Sequence, residues 1–211
     1  MQGNELKNLK DIEDHKVLTA LQNPAKRIIQ QSEAEGVTTV LFTSDDDPFG
    51  SLIAATAIAQ IFIGYNKRVL LFSMIPGSLS PLQEKYELDG HRGFMKVAGS
   101  SDYLSRAIYT TEGDGFDIAG VEEVEEEPYL DMLERYDLES RMSPLENYYD
   151  HILIVGPAKE SSMVYPHIYK VAEAVVLISR NSTSDYRRLN ILIDEHSRHN
   201  LHNFGIIRRE S

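Results

Sequence analysis

Short apolar runs recur along the chain and set its architecture. Thr38–Thr43, Arg68–Phe72, His151–Val155, Ala174–Ile178 and Phe204–Ile207 are each four to six residues, rich in Val, Ile, Leu or Phe. None alternates cleanly between apolar and polar positions. Continuous apolar strands of this kind are buried on both faces, which is the mark of a parallel sheet covered by helices. Helical patterns fill the intervals. Gly50–Ile63 is apolar almost all round and is predicted to be an inner helix lying against the sheet. Tyr165–Val171 and Ser184–His199 are amphipathic, and Ser184 is the expected N-cap of the second. Ser101–Tyr109 reads as a further helical stretch, and the first thirty-odd residues as one or two helices leading into the sheet. Alternation of strand and helix predicts an α/β three-layer fold with a mainly parallel central sheet and right-handed crossovers.

The domain division expected is a helical lead-in over residues 1–36 and one globular unit over 37–211. A chain of 211 residues is long enough for a single sizeable core. No run approaches the ~20 apolar residues of a membrane-spanning helix, and Met1–Lys10 has no apolar segment of the signal-peptide type. The expected location is the cytoplasm. The formal net charge of −12 makes nucleic acid and anionic lipid poor partners, and the absence of cysteine excludes disulfides and thiolate metal sites. The acidic run Glu122–Glu127 reads as a solvated loop ended by Pro128.

Ligands of open α/β sheets bind at the carboxyl ends of strands, so the chemistry belongs after the first strand. There the chain reads Ser44-Asp45-Asp46-Asp47-Pro48-Phe49-Gly50-Ser51-Leu52 and enters the apolar helix. The layout is that of a phosphate-binding loop, which needs several glycines, inward N–H groups, a Lys for the phosphates and a Ser or Thr for magnesium. Here there is one glycine, Gly50. Ser51 stands in the Lys position and Leu52 in the Ser/Thr position, and Pro48 removes a donor. Asp45, Asp46 and Asp47 occupy the space a polyphosphate would need, where like charges repel by several kcal/mol. Asp47 is instead a natural N-cap and Pro48 a natural first helical residue. A divalent cation held by Asp45–Asp47 is the alternative use of this loop.

These blocks resemble a known family, the capsular and exopolysaccharide tyrosine kinases, kin of the MinD and ParA ATPases. The resemblance runs from about Val37 to Arg209. Val37–Ser44, Gly50 and Asn66–Leu71 are similar to the family's first strand, phosphate loop, helix and second strand at the same spacing. Tyr149–Pro157 resembles the strand carrying the magnesium-linked aspartate, Ala172–Ile178 the next strand, and Phe204–Ile207 the last. Arg92-Gly93-Phe94 through Val97-Ala98-Gly99 to Ala107-Ile108, then Phe116–Gly120 and Pro128–Leu133, resemble the stretch that separates the polysaccharide group from the partition ATPases.

The resemblance implies ATP and magnesium handling, yet the residues that would carry it are replaced. Ser73 and Ile75 stand where two aspartates are expected after the second strand, Val155 where the third is expected, and Arg209 where a base-contacting Asn is expected. Ile207–Ser211 carries no tyrosine, unlike the tyrosine-rich tail that the resemblance implies. Its oligomerisation motif is not recognisable near Gln22–Arg27, so homo-oligomer formation is left open. The expectation is a chain without bound ATP, magnesium or catalytic residues, acting by contact with a membrane-embedded polysaccharide chain-length or polymerisation protein. Alternatives are a divergent ATPase or kinase with an unconventional nucleotide site, and a MinD/ParA-like positioning protein.

Two other groups remain. His196, His199 and His202 recur every three residues, which suits either a shared metal or a helix end where His faces water and the dipole. Tyr148, Tyr149 and Tyr165 flank strands and read as packing residues, with phosphorylation as the alternative. No Gly-x-Ser-x-Gly elbow supports a hydrolase triad.

Overall fold

A computed structural model describes residues 15–44, 47–90, 92–100, 102–113, 115–157, 163–180 and 186–209. Helix α1 (His15–Glu35) leads into β1 (Thr39–Ser44), α2 (Pro48–Gly64), β2 (Val69–Ser73), α3 (Leu79–Tyr86) and α4 (Phe94–Ala98). A 3-10 turn (Leu104–Ala107) precedes β3 (Tyr109–Thr110), β4 (Asp117–Gly120), α5 (Glu126–Arg135) and α6 (Leu138–Glu146). The chain then runs through β5 (His151–Val155), α7 (Tyr165–Ile168), β6 (Ala174–Arg180), α8 (Tyr186–Arg198) and β7 (His202–Arg209). The sheet order is β3-β4-β2-β5-β1-β6-β7, with every pairing parallel except β3 with β4.

The period of two along each strand splits the apolar residues between two cores. Val40 and Phe42, Leu71, Leu153 and Val155, and Val176 face α1 and α2. Leu41, Leu70 and Phe72, Ile152 and Ile154, and Val175 face α4 to α7. Helix α2 is apolar all round because it lies between the sheet and α1, whose Leu21, Ala25, Ile28 and Ile29 join the same core. Full burial of Leu52, Ile58 and Phe62 contributes roughly 2–3 kcal/mol each.

Several local expectations change. The helical pattern of Ser101–Tyr109 contracts to the 3-10 turn, because Tyr109 is drawn into the sheet, where it pairs with Ile118. Strands β3 and β4 are too short for periodicity to register. The acidic run is solvated at Glu123 and Glu125–Glu127, as its pattern suggests, but it is loop only as far as Glu125 and does not end at Pro128. Glu126 opens α5, and Pro128 sits in its first turn, where an N–H would have no partner. Glu122 accepts the backbone N–H groups of Met95 and Lys96 at 2.8 and 3.3 Å, so its carboxylate caps the start of α4. A Cβ on Gly93 would collide with that carboxylate. The last strand is longer than its apolar run. It carries a bulge against Val175 and Val176 that Gly205 permits at φ 113°.

Candidate functional site

Strand β1 sits where the connections diverge. It leads through α2 to β2 on one side, while its neighbour β6 leads through α8 to β7 on the other. Ligands of doubly wound sheets lie in such a crevice. Asp45 and Asp46, two of the three loop aspartates, lie outside the described residues. Asp47 caps α2. Its Oδ1 accepts the Gly50 N–H at 2.8 Å, its own N–H donates to Ser44 Oγ at 2.8 Å, and Pro48 opens the helix. Ser51 is fully buried, its N–H donating to Asp47 O at 3.1 Å and its hydroxyl to the same oxygen at 3.4 Å. Leu52 is part of the core. A carboxylate from within the chain thus takes the helix N–H that would face a ligand.

Apolar residues follow β2 and end β5. Met74, Ile75 and Val155 are buried, and the Met74 N–H donates to Val155 O at 2.9 Å. Ser73 is buried too, its hydroxyl lacking a hydrogen-bond partner among the described residues. Sequence reasoning missed Tyr165 as part of this edge. Its buried hydroxyl donates to Pro157 O at 2.7 Å and is hydrogen-bonded to Thr43 Oγ1, so one phenol joins the ends of β1 and β5. A Cβ on Gly156 would come within 2.8 Å of that hydroxyl. The Gly156-Pro157 pair could have signalled it, since glycine after an apolar strand marks close approach. Burial raises the Tyr165 pKa, which keeps the phenol neutral. This packing favours the structural reading of Tyr165 over phosphorylation.

The charged groups gather at the opposite edge. A cleft of about 360 Å³ there is lined by Glu33, Lys67, Arg68, Glu146, Asp150 and His151, among others. Lys67 Nζ lies 2.6 Å from Glu33 Oε1. Asp150 accepts the Arg68 N–H at 2.7 Å and two guanidinium N–H groups at 3.3 and 3.2 Å, which lowers its pKa. His151 is buried, stacks edge-on against Phe62 at 4.7 Å and leaves Nδ1 without a hydrogen-bond partner among the described residues. Desolvation, reinforced by Lys67, pushes its pKa down to about 4, so the ring is neutral near pH 7.

The three histidines of the C-terminal part do not converge. His196 is fully buried rather than water-facing, packed edge-on against Tyr169 at 5.7 Å. His199 lies against the same ring at 4.3 Å. His202 is on β7, its Nδ1 3.6 Å from Glu35 Oε2. Among the described residues, no three His, Asp or Glu side chains gather as metal ligands. Ser184, the expected N-cap of α8, lies outside the described residues.

No protein-family model matches the sequence, and no curated protein does. Solved structures do match. The VpsO kinase domain superposes with a TM-score of 0.76 at 16% identity, over 94% of this chain and 98% of that one. The kinase domain of the Escherichia coli tyrosine kinase ETK gives 0.72 at 15% identity, over 84% and 69%. The fold is that of the bacterial tyrosine kinase domains. The same fold recurs in a plasmid partition protein from Borrelia burgdorferi, which gives 0.60 at 15% identity, over 82% and 78%. The α/β fold with its mainly parallel sheet is therefore as the sequence blocks imply. No helix of the described residues is long and apolar enough to cross a membrane.

Proposed function

We propose that this chain is a non-catalytic relative of the exopolysaccharide tyrosine kinases. It acts by protein–protein contact in polysaccharide synthesis or export, as an accessory or regulatory component. Its partner in this reading is a membrane-embedded chain-length or polymerisation protein, which would hold it at the inner face of the membrane.

The observation that carries the reading is the Asp47 carboxylate on the Gly50 N–H at the start of α2. A phosphate group would have to displace a charge that already satisfies the helix terminus. The other positions agree with this. Ser51 and Leu52 replace a phosphate-binding Lys and a magnesium-binding hydroxyl, and Ile75 and Val155 are buried apolar residues where carboxylates would act. These residues do not fit a magnesium–nucleotide, and no phosphoryl-transfer step can be derived through them.

Calorimetric titration with ATP and ADP, with and without magnesium, tests the reading on the full chain. The expected result is no heat of binding at millimolar nucleotide. Micromolar affinity would overturn it in favour of an unconventional nucleotide site. Capture from native cells tests the interaction role separately, and recovery of no polysaccharide-assembly component would count against it.

A further inference from the structure

On an acidic chain, one concave surface carries the opposite charge. Arg92, Lys96, Val97, Ser100, Asp102 and Arg106 line a cleft of about 540 Å³. Arg92 precedes α4, Lys96 lies within it and Ser100 follows it, and all three line the same cleft. Arg106 joins them from the 3-10 turn. Asp102 is the lone acid of the lining. It is shared between Arg106, at 2.9 Å, and Ser100 Oγ, at 3.0 Å. Arg92 and Lys96 are exposed and make no ion pair among the described residues. Glu122, the nearest acid at the start of α4, is committed to the backbone N–H groups of Met95 and Lys96.

The cations stand on a fixed base. Phe94 and Val97 of α4 and Leu104 and Ala107 of the 3-10 turn are all buried in the core beneath. The Arg92 N–H donates to Tyr109 Oη at 2.7 Å. A binding surface whose backbone is already ordered has less conformational freedom to lose on association. Tyr103, next in sequence to Asp102 of the lining, is 74% exposed. A large exposed aromatic one residue along the chain from the lining suits a ligand with both negative charge and apolar surface.

We propose that this cleft docks an acidic peptide segment of a protein partner, its carboxylates facing Arg92 and Lys96 and an apolar side chain against Tyr103. The cleft is larger than one phosphate needs. Net charge disfavours anionic membrane and nucleic acid over most of the remaining surface. The docking site rests on the interaction role proposed above and gives that partner a chemistry.

Fluorescence anisotropy of a labelled decapeptide of glutamates around a central leucine tests it on the full chain. The wild type is expected to bind, more weakly as salt rises. Arg92→Glu/Lys96→Glu is expected to weaken binding by about tenfold or more. Tyr103→Ala is expected to weaken it by roughly threefold. Arg92→Gln/Lys96→Gln supplies a milder loss should the charge reversal disturb Glu122 and the fold. Absence of peptide binding, or equal binding by the neutralised variant, overturns the docking site. So does displacement of the peptide by inorganic pyrophosphate together with no effect of Tyr103→Ala, which would mark a phosphate site. Preferential binding of phosphatidylserine vesicles would do the same. The nucleotide titration is independent: silence there with no peptide binding sinks the docking site alone.

Discussion

The two edges of the sheet are built differently. At the carboxyl edge, where this fold binds ligands, polar groups bond to one another: Asp47 to Gly50, Ser44 to Asp47, Tyr165 to Thr43 and Pro157. Between them lie Met74, Ile75 and Val155, all buried. At the amino edge, Lys67, Glu33, Arg68 and Asp150 pair in an open cleft over a buried histidine with one ring nitrogen unpartnered among the described residues. Among the described residues, charged side chains gather at the amino edge, while the polar groups of the carboxyl edge bond within the chain. A carboxyl edge satisfied from within is a structural joint, and its residues should behave as stability determinants. The amino edge should instead show itself through pH.

The largest effect tests the joint. Tyr165→Ala removes a buried ring that ties β1 to β5, and should cost about 3–5 kcal/mol in urea unfolding. Tyr165→Phe keeps the ring and leaves Pro157 O and Thr43 Oγ1 without their partner, for about 1–2 kcal/mol. Loss of under about 0.5 kcal/mol in Tyr165→Ala would break the contrast between the edges.

The next effect belongs to His151. Its pKa is lowered from 6.5 to about 4 on folding, so between those values the unfolded chain binds more protons. Stability from this group is complete above pH 6.5 and is lost as pH falls towards 4, by up to about 3 kcal/mol. His151→Phe should remove that part of the acid limb while leaving the carboxylate part. Parallel pH profiles of the two proteins by chemical denaturation would show that the ring is not desolvated as described.

The smallest effect sharpens the nucleotide reading. Asp47→Ala frees the Gly50 N–H and should cost about 1 kcal/mol of stability as a lost cap. No nucleotide affinity should appear, since neither a Lys at Ser51 nor a carboxylate at Val155 is present to complete a site. Micromolar ATP binding by this variant in calorimetry would show that the cap alone excludes phosphate.

Much of the fold is legible in the chain because a parallel sheet buried on both faces leaves unbroken apolar runs. His151–Val155 is found with the bounds its pattern suggests, and α2 announces itself by having no polar face. The cap at Asp47-Pro48 is equally local, a matter of one carboxylate three residues from one N–H. What sequence spacing misjudged depended on partners far along the chain. Glu122 looked like part of a solvated run until α4 supplied its donors, 27 residues away in sequence. His196 looked exposed at a helix end until Tyr169 covered it.

The sequence by itself determined five of the sheet's strands, the buried helix after the first of them, and the Asp47-Pro48 start of that helix. Those follow from periodicity, capping chemistry and side-chain identity, which act over a few residues. Only the tertiary structure decided that Tyr165 reaches Thr43 across 122 positions, and that His151 lies dry against Phe62. It also brings Arg106 from the turn after α4 alongside Arg92 and Lys96 in one cleft. Such contacts depend on how two cores close over one sheet, and no local pattern carries that information.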